Sequence, residues 1–207
     1  MVDATHPLSA TSLAWPLPDR TDLRDQLLAA YANGRGYHDT RHLAEVLERL
    51  DELGESGNAE LVLAAWYHDA VYDGRRHAEE RSARLAESDL TGADLPGTGV
   101  DVAEVARLVR LTAHHDPGPG DHAGEALCDA DLAILSAGPE RYREYTAGVR
   151  DEYAALSDET FRAGRLAVLE ELAGRDRLFR TAYARERWEP RARANLRREI
   201  EELRSVR

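Results

Sequence analysis

The sequence predicts an all-α protein. Apolar residues recur at helical spacing in every long apolar segment, as they do over residues 40–53. Residues favoured at helix N-termini, such as Thr21 and Ser157, precede several of these segments. The alternation of β-branched and polar residues that is typical of half-buried strands is absent. These three observations together predict helices and no strand of consequence.

The first part of the chain contains three prolines and Trp15 within residues 1–20. We expect a short helix there, followed by an extended connection that Trp15 docks onto the core. The next helix is predicted to have Thr21 as its N-cap and to end at the run 33–36, which is rich in glycine. The helix after it is predicted to be capped by Thr40.

A third long helix is predicted to be buried at the centre of the fold. It opens at Asn58, is apolar almost throughout and closes on His68 and Asp69. The later segments are separated by glycine and proline, which favour turns and loops. They are predicted as helices over 79–87, 100–113, 125–135, 139–155 and 157–174, a helical pair over about 176–205, and a loop over 90–99.

Composition limits the classes of function. A chain of 207 residues with 43% hydrophobic residues fits one domain with a sizeable core. Its net charge of -12 disfavours nucleic acid and anionic membranes as partners. Arginines cluster near the C-terminus, but glutamates alternate with them, so a solvated helix face is the favoured interpretation. We therefore expect no nucleic-acid partner and no membrane partner.

The cysteine and lysine content of the chain further limits the kinds of site and reaction that are possible. The single cysteine, Cys128, excludes a disulfide framework and a cysteine-type zinc site. No apolar run reaches the roughly 18 residues of a membrane span, and no signal-peptide pattern is found, so a cytoplasmic location is expected. All 27 basic residues are arginine, which excludes Schiff-base chemistry on a lysine.

Histidine and aspartate residues in three separate segments predict a metal site. His42 lies near the start of the second long helix, His68 and Asp69 close the third, and Asp131 lies in an Asp-Ala-Asp-Leu run. Imidazole and carboxylate groups are ligands that divalent first-row metals accept. A carboxylate buried beside an apolar helix is costly unless it is paired or binds a metal. The structural alternative is a histidine that interacts with the dipole at a helix C-terminus.

The order of these residues resembles the HD-domain superfamily of metal-dependent phosphohydrolases. The motifs RHLAEVL, WYHDAVYD and DADLAIL carry the resemblance, which is to a bacterial branch of predicted HD hydrolases. It implies an HD-type helical bundle with a core over about 37–135. Further helices over 1–36 and 136–207 would flank that core within a single domain over 1–207.

In that pattern the metal ligands correspond to His42, His68, Asp69 and Asp131. Asp129 remains the alternative to Asp131, and His38 remains the alternative to His42. The resemblance implies a divalent metal, which on this donor set is Mn, Mg, Fe, Ni, Co or Zn; one ion is the default, and the sequence leaves open whether a second is bound.

The remaining candidate residues flank the motifs. Asp69, Glu80 and His115 are the predicted catalytic residues, and the alternative for His115 is a helix C-terminal imidazole without a catalytic role. Glu79 is interpreted as a favourable charge at a helix N-terminus. Three arginines could hold phosphate, and each could equally form a surface ion pair. These predicted substrate-binding residues are Arg41, Arg75 and Arg76.

The resemblance implies an enzyme, a metal-dependent phosphohydrolase. Its substrate would be a small phosphomonoester or phosphodiester, most often a nucleotide, hydrolysed by metal-activated water. The alternative is a non-catalytic helical protein that binds a ligand or regulates a partner and keeps the metal for structure. The sequence leaves open whether two copies associate as a homodimer.

Overall fold

A computed structural model describes residues 13–32, 34–91 and 99–205. Within these ranges the chain is helical and contains no β-strand, so the all-α prediction is confirmed. Residues 1–12, on which the predicted short N-terminal helix falls, lie outside the described residues. So do Asn33 and residues 92–98, which make up most of the predicted loop over 90–99.

Ten α-helices occur in the described part of the chain, and the element after the sixth is a short 3-10 helix over Ala133–Ser136. The α-helices are α1 (Thr21–Tyr31), α2 (Thr40–Glu52), α3 (Ala59–Tyr67), α4 (Ala78–Leu90), α5 (Val102–Leu111), α6 (His122–Leu132), α7 (Pro139–Glu152), α8 (Asp158–Gly174), α9 (Ala182–Arg187) and α10 (Glu189–Ser205). None of these described helices combines the length and the apolar character that crossing a membrane requires.

The N-cap of α2 differs from the prediction by one residue, and the difference matters for the site. Thr40 is the first helical residue, while Asp39 is the cap and accepts hydrogen bonds from the main-chain N–H groups of Arg41 and His42. Thr21 is likewise the first residue of α1 rather than its cap. The predicted side-chain caps of α3 and α8 are confirmed. Asp39 therefore fixes the turn of helix that carries His42.

Helix α3 is the buried centre of the first part of the fold. Every residue over 61–67 is buried, and the helix contacts α2, α4, α5 and α6. Trp66 donates its indole N–H to the main-chain oxygen of Ala14 at 2.7 Å, and the rings of Trp15 and Trp66 meet edge to face with centroids 5.1 Å apart. Trp15 thus docks the extended segment onto the core, as predicted.

Buried apolar residues form two clusters. The first lies among α1 to α6, and the second joins Tyr37 and the 3-10 helix to α7, α8, α9 and α10. Helix α2 contacts both α6 and the 3-10 helix, so it borders both clusters. The ends of α2, α3 and α6 that carry the predicted metal ligands lie beside this boundary.

Helix α7 approaches the loop before α2 main chain to main chain. A Cβ atom at Gly148 would lie 2.5 Å from the carbonyl oxygen of Gly36, and one at Gly36 would lie closer still to the carbonyl oxygen of Gly148. Glu152, at the end of α7, accepts hydrogen bonds from the N–H groups of Gly36, Tyr37 and His38 at 3.1, 2.8 and 2.9 Å. The second cluster is thereby fixed next to the segment that leads into His42.

Candidate metal centre and the cavity above it

Two buried histidines and an aspartate converge on one point. Nε2 of His42 lies 3.1 Å from Nε2 of His68 and 3.2 Å from Oδ1 of Asp131. The three ligand atoms all lie within 4.8 Å of one another, and these side chains could hold a metal ion. The three residues come from the first turn of α2, the C-cap of α3 and the last turn of α6, as the sequence predicts.

Asp69 lies beside this group. Its Oδ2 is 3.0 Å from Nε2 of His68 and 3.4 Å from Nε2 of His42. The main-chain N–H of Asp69 donates to the hydroxyl of Tyr31, and its carbonyl accepts from the guanidinium of Arg35 at 2.7 Å. The main chain of the His-Asp pair is therefore held by α1 and by the loop after it.

The hydrogen bond on the far side of His68 makes its site-facing nitrogen a good metal ligand. Nδ1 of His68 lies 2.7 Å from the main-chain oxygen of Ala65. Because a carbonyl oxygen can only accept, Nδ1 must carry the proton. In the neutral imidazole, Nε2 then presents its lone pair to the site, which is the arrangement usual for histidines that bind metals.

The electrostatics of the cluster also suit a cation. Burial alone lowers the pKa of His42, but hydrogen bonds to Asp131 and Asp69 raise that pKa to about 10. Burial raises the pKa of Asp131, but the charge of His68 and the hydrogen bond from His115 hold that pKa well below its usual range. Protons on the histidine rings therefore balance the negative charge of the two carboxylates. A divalent cation would replace those protons and release them to solvent.

Asp129 and His38, the alternative ligands, have other partners. The carboxylate of Asp129 is buried and accepts from the main-chain N–H groups of Arg180 and Thr181 at 2.8 and 2.7 Å, which fixes the start of α9. His38 donates from Nδ1 to Glu152 at 2.7 Å. Asp131, and not Asp129, therefore belongs to the group of converging side chains.

His115 contacts the cluster through Asp131. Its Nε2 donates to Oδ2 of Asp131 at 2.8 Å, which leaves Oδ1 of that carboxylate toward His42. His115 has a φ of 49°, a left-handed conformation that costs energy for a non-glycine residue. Arg175 donates to the carbonyl oxygens of His114 and His115 at 2.9 and 3.2 Å and so holds this turn. No motif or spacing in the sequence pointed to Arg175.

Glu80, a predicted catalytic residue, is not among the residues that line the cavity above the cluster. Its carboxylate accepts from Arg110 at 2.6 Å and from Arg84 at 2.8 Å across the surface of α4. The neighbouring residue Glu79 lines the cavity instead. Glu79 and Glu80 lie on different faces of α4, and the motif pattern did not specify which face is turned toward the site.

The three arginines predicted to hold phosphate also lie away from the cavity. Arg41 pairs with Glu144 at 2.8 Å, Arg75 donates its main-chain N–H to Asp73, and Arg76 is exposed. None of the three lines the cavity. Their closeness to the motifs in sequence did not fix the direction of their side chains. The arginines that do line it come from α8 and from the segment between α8 and α9, and the sequence did not point to them: Arg165, Arg175 and Arg180.

A cavity of about 960 Å³ opens over the carboxylates of Asp69 and Asp131. Part of its lining is polar and includes His38, His115 and Arg180. A second part is apolar or aromatic and comes from α7, α8 and the segment between them. This second part, called the apolar lining below, consists of Tyr145, Val149, Tyr153, Leu156, Phe161 and Val168.

No protein-family model, curated protein or solved structure matches this chain. The HD-domain resemblance therefore stays a hypothesis based on the order of the motif residues. A fold alone does not define a function, so function is inferred from the residues of the site.

Proposed function

We propose that this protein is a metal-dependent phosphohydrolase. The observation that carries the proposal is the convergence of two histidine nitrogens and an Asp131 oxygen within 4.8 Å, next to a cavity that Asp69 and Asp131 line. This mixed nitrogen and oxygen donor set suits a divalent metal such as Mn, Fe, Ni, Co or Zn. When bound, such an ion supplies Lewis-acid chemistry and lowers the pKa of a coordinated water.

The residues of the chain have separate parts in this proposal. His42, His68 and Asp131 would hold the ion, and Asp69 would complete the ligand set. His115 positions Asp131, because its hydrogen bond occupies Oδ2 and leaves Oδ1 for the metal. The HD-domain resemblance points to a phosphomonoester or phosphodiester, and nucleotides are the first class that it suggests.

Arg180 is the residue best placed to bind a substrate phosphate. It lines the cavity, and its guanidinium pairs at 2.9 Å with the exposed carboxylate of Asp116. An exposed ion pair contributes little free energy, so a phosphate oxygen can compete for this guanidinium. Arg165 and Arg175 also line the cavity, but both already have partners. Arg165 donates to Glu199, and Arg175 donates to the turn at His115.

The test is a hydrolysis screen on protein stripped with a chelator and reloaded with Mn, Mg, Ni, Co, Fe or Zn. Inorganic phosphate is the product measured for nucleoside monophosphates and other phosphomonoesters, and the released alcohol is the product measured for phosphodiesters. We expect release that needs metal, is lost in Asp131→Asn and is retained in Glu48→Gln, a control at an exposed residue of α2. Metal binding without hydrolysis of any ester would instead support the non-catalytic alternative, and failure to bind metal would refute both.

A further inference from the structure

Exposed apolar side chains concentrate in the cavity above the metal cluster. Among the described residues, the large apolar side chains with high exposure are Tyr153, Leu156, Val168 and Tyr183. The first three, which are 41%, 40% and 50% exposed, all line this cavity. Single exposed apolar residues are normal on a protein surface, but a group of them in one concavity indicates a binding site.

The polar groups on this side of the cavity already have partners within the protein. Arg165 donates to both carboxylate oxygens of Glu199 at 2.8 and 3.2 Å. The hydroxyl of Thr160 lies 2.9 Å from that of Ser157, within the cap of α8. A ligand group placed here therefore meets mainly hydrocarbon and aromatic surface. A polar sugar would lose its hydrogen bonds to water without gaining equivalent ones, whereas an apolar group would not.

Apolar residues that line the cavity also come shortly after Asp131 in the sequence. Leu132, Ile134 and Leu135 follow Asp131 directly, and all three line the cavity. A volume of about 960 Å³ is also at the upper end of the range typical of sites for whole small molecules, and a phosphate group alone fills little of it. The cavity therefore has room for an apolar group beside the carboxylates.

From these observations we infer the substrate class: a phosphate ester of an apolar or aromatic alcohol, whose phosphate faces Asp131 and Arg180 and whose organic group contacts the apolar lining. The part of this inference that concerns the phosphate rests on the proposed function. The part that concerns the apolar group rests on the exposed side chains of α8 and of the segment before it, and it can be tested separately.

The experiment compares 1-naphthyl phosphate, glycerol 2-phosphate and adenosine monophosphate on the metal-loaded protein. We expect kcat/KM for 1-naphthyl phosphate to exceed that of the other two at least tenfold, mainly through a lower KM. Binding of 1-naphthol, which has no phosphate, is measured by fluorescence on the metal-free protein. This second measurement reports on the apolar lining whether or not any ester is hydrolysed.

Val168→Glu is the test variant, and Ala167→Glu is its matched control. Ala167 is the neighbouring exposed residue of α8 and is not among the residues that line the cavity. We expect Val168→Glu to weaken 1-naphthol binding and to raise KM for 1-naphthyl phosphate at least tenfold, with glycerol 2-phosphate unchanged. Ala167→Glu should leave all three values unchanged. Leu156→Ser, in the exposed segment between α7 and α8, gives a second variant if Val168→Glu folds poorly.

The possible outcomes separate the two proposals. A preference for adenosine monophosphate or glycerol 2-phosphate would overturn the inferred substrate class and leave the phosphohydrolase proposal standing. Binding of 1-naphthol that Val168→Glu weakens, without hydrolysis of any ester, would support the apolar site and overturn the phosphohydrolase proposal. Absence of 1-naphthol binding, with equal rates on all three esters, would overturn the inference.

Discussion

His115 donates a hydrogen bond from Nε2 to Oδ2 of Asp131, at 2.8 Å. The other oxygen of the same carboxylate lies 3.2 Å from Nε2 of His42. Asp131 thus uses one oxygen for orientation and keeps the second for the converging histidines. Two carboxylates in one short run therefore have different tasks, since Asp129 accepts from the main-chain N–H groups of Arg180 and Thr181 at the start of α9.

Replacement of the two aspartates separates these tasks. Asp131→Asn should lose bound metal and remain folded, because a neutral amide is a poor ligand beside two histidines. Asp129→Asn should retain metal and lose about 1–3 kcal/mol in the free energy of unfolding, because an amide satisfies the two buried N–H donors less well. Metal analysis and chemical denaturation of both variants check this. Loss of metal in Asp129→Asn alone would show that the ligand is assigned to the wrong residue.

Asp69→Asn tests the fourth predicted ligand. In the absence of metal the carboxylate of Asp69 lies 3.0 Å from Nε2 of His68, so it is a paired charge rather than an isolated one. We therefore expect the variant to bind metal less tightly and, when stripped with chelator, to be less stable than the wild type by about 1–3 kcal/mol. Thermal melts with and without chelator measure both effects. Unchanged metal content would remove Asp69 from the ligand set.

Arg175 is a positioning residue for His115, because its guanidinium holds the carbonyl oxygens of the strained turn. Arg175→Met should reduce metal affinity by about 10-fold to 100-fold, the size usual for loss of a partner that orients a metal ligand. Arg177→Met, at an exposed position two residues on, is the control. Metal titration is the readout, because a purely structural arginine would change the melting temperature and leave the affinity as it was.

The main-chain contact between Gly36 and Gly148 should tolerate no side chain. Gly148→Ala places a Cβ 2.5 Å from a carbonyl oxygen, and neither backbone can move without shifting α7 or the loop before α2. We expect a loss of about 3 kcal/mol or more in the free energy of unfolding. Gly164→Ala in α8 has nothing within 4 Å and should gain about 0.5–1 kcal/mol. Urea denaturation of the two variants measures whether the free energy of unfolding falls in the first and rises in the second.

Glu152 makes stability depend on pH. Burial raises the pKa of this carboxyl, but the hydrogen bond and charge of His38 lower it below its usual value overall. A carboxyl whose pKa is lower in the folded state stabilises the protein above its unfolded pKa of about 4.3, and this contribution is lost as pH falls through the folded pKa. Glu152→Gln should therefore be less stable at pH 7, and its unfolding free energy should fall less steeply below pH of about 4.5 than that of the wild type. Parallel curves for the two proteins would contradict this.

Local signals were enough to predict the helices, whereas the convergence of His42, His68 and Asp131 was predicted from the resemblance to the HD-domain motifs. The apolar run of α3 and its cap at Asn58 depend on neighbouring residues only, and so does the placement of His68 at its end. The direction of individual side chains was harder to predict from the sequence. Glu79 and Glu80 are adjacent carboxylates that differ only in the face of α4 on which they lie. The apolar lining was not predicted at all. It depends on the position of α7 beside the loop before α2, which is fixed by contacts between residues more than a hundred positions apart, such as Glu152 and His38.

The donor set and the apolar lining of the cavity come from two stretches of the chain that do not overlap. The donor set lies within 42–131, whereas the apolar lining lies within 145–168. Substitutions at exposed residues of the apolar lining, such as Leu156 and Val168, can therefore accumulate without replacing a metal ligand. Separate codons therefore specify the donor set and the shape of the apolar surface beside it.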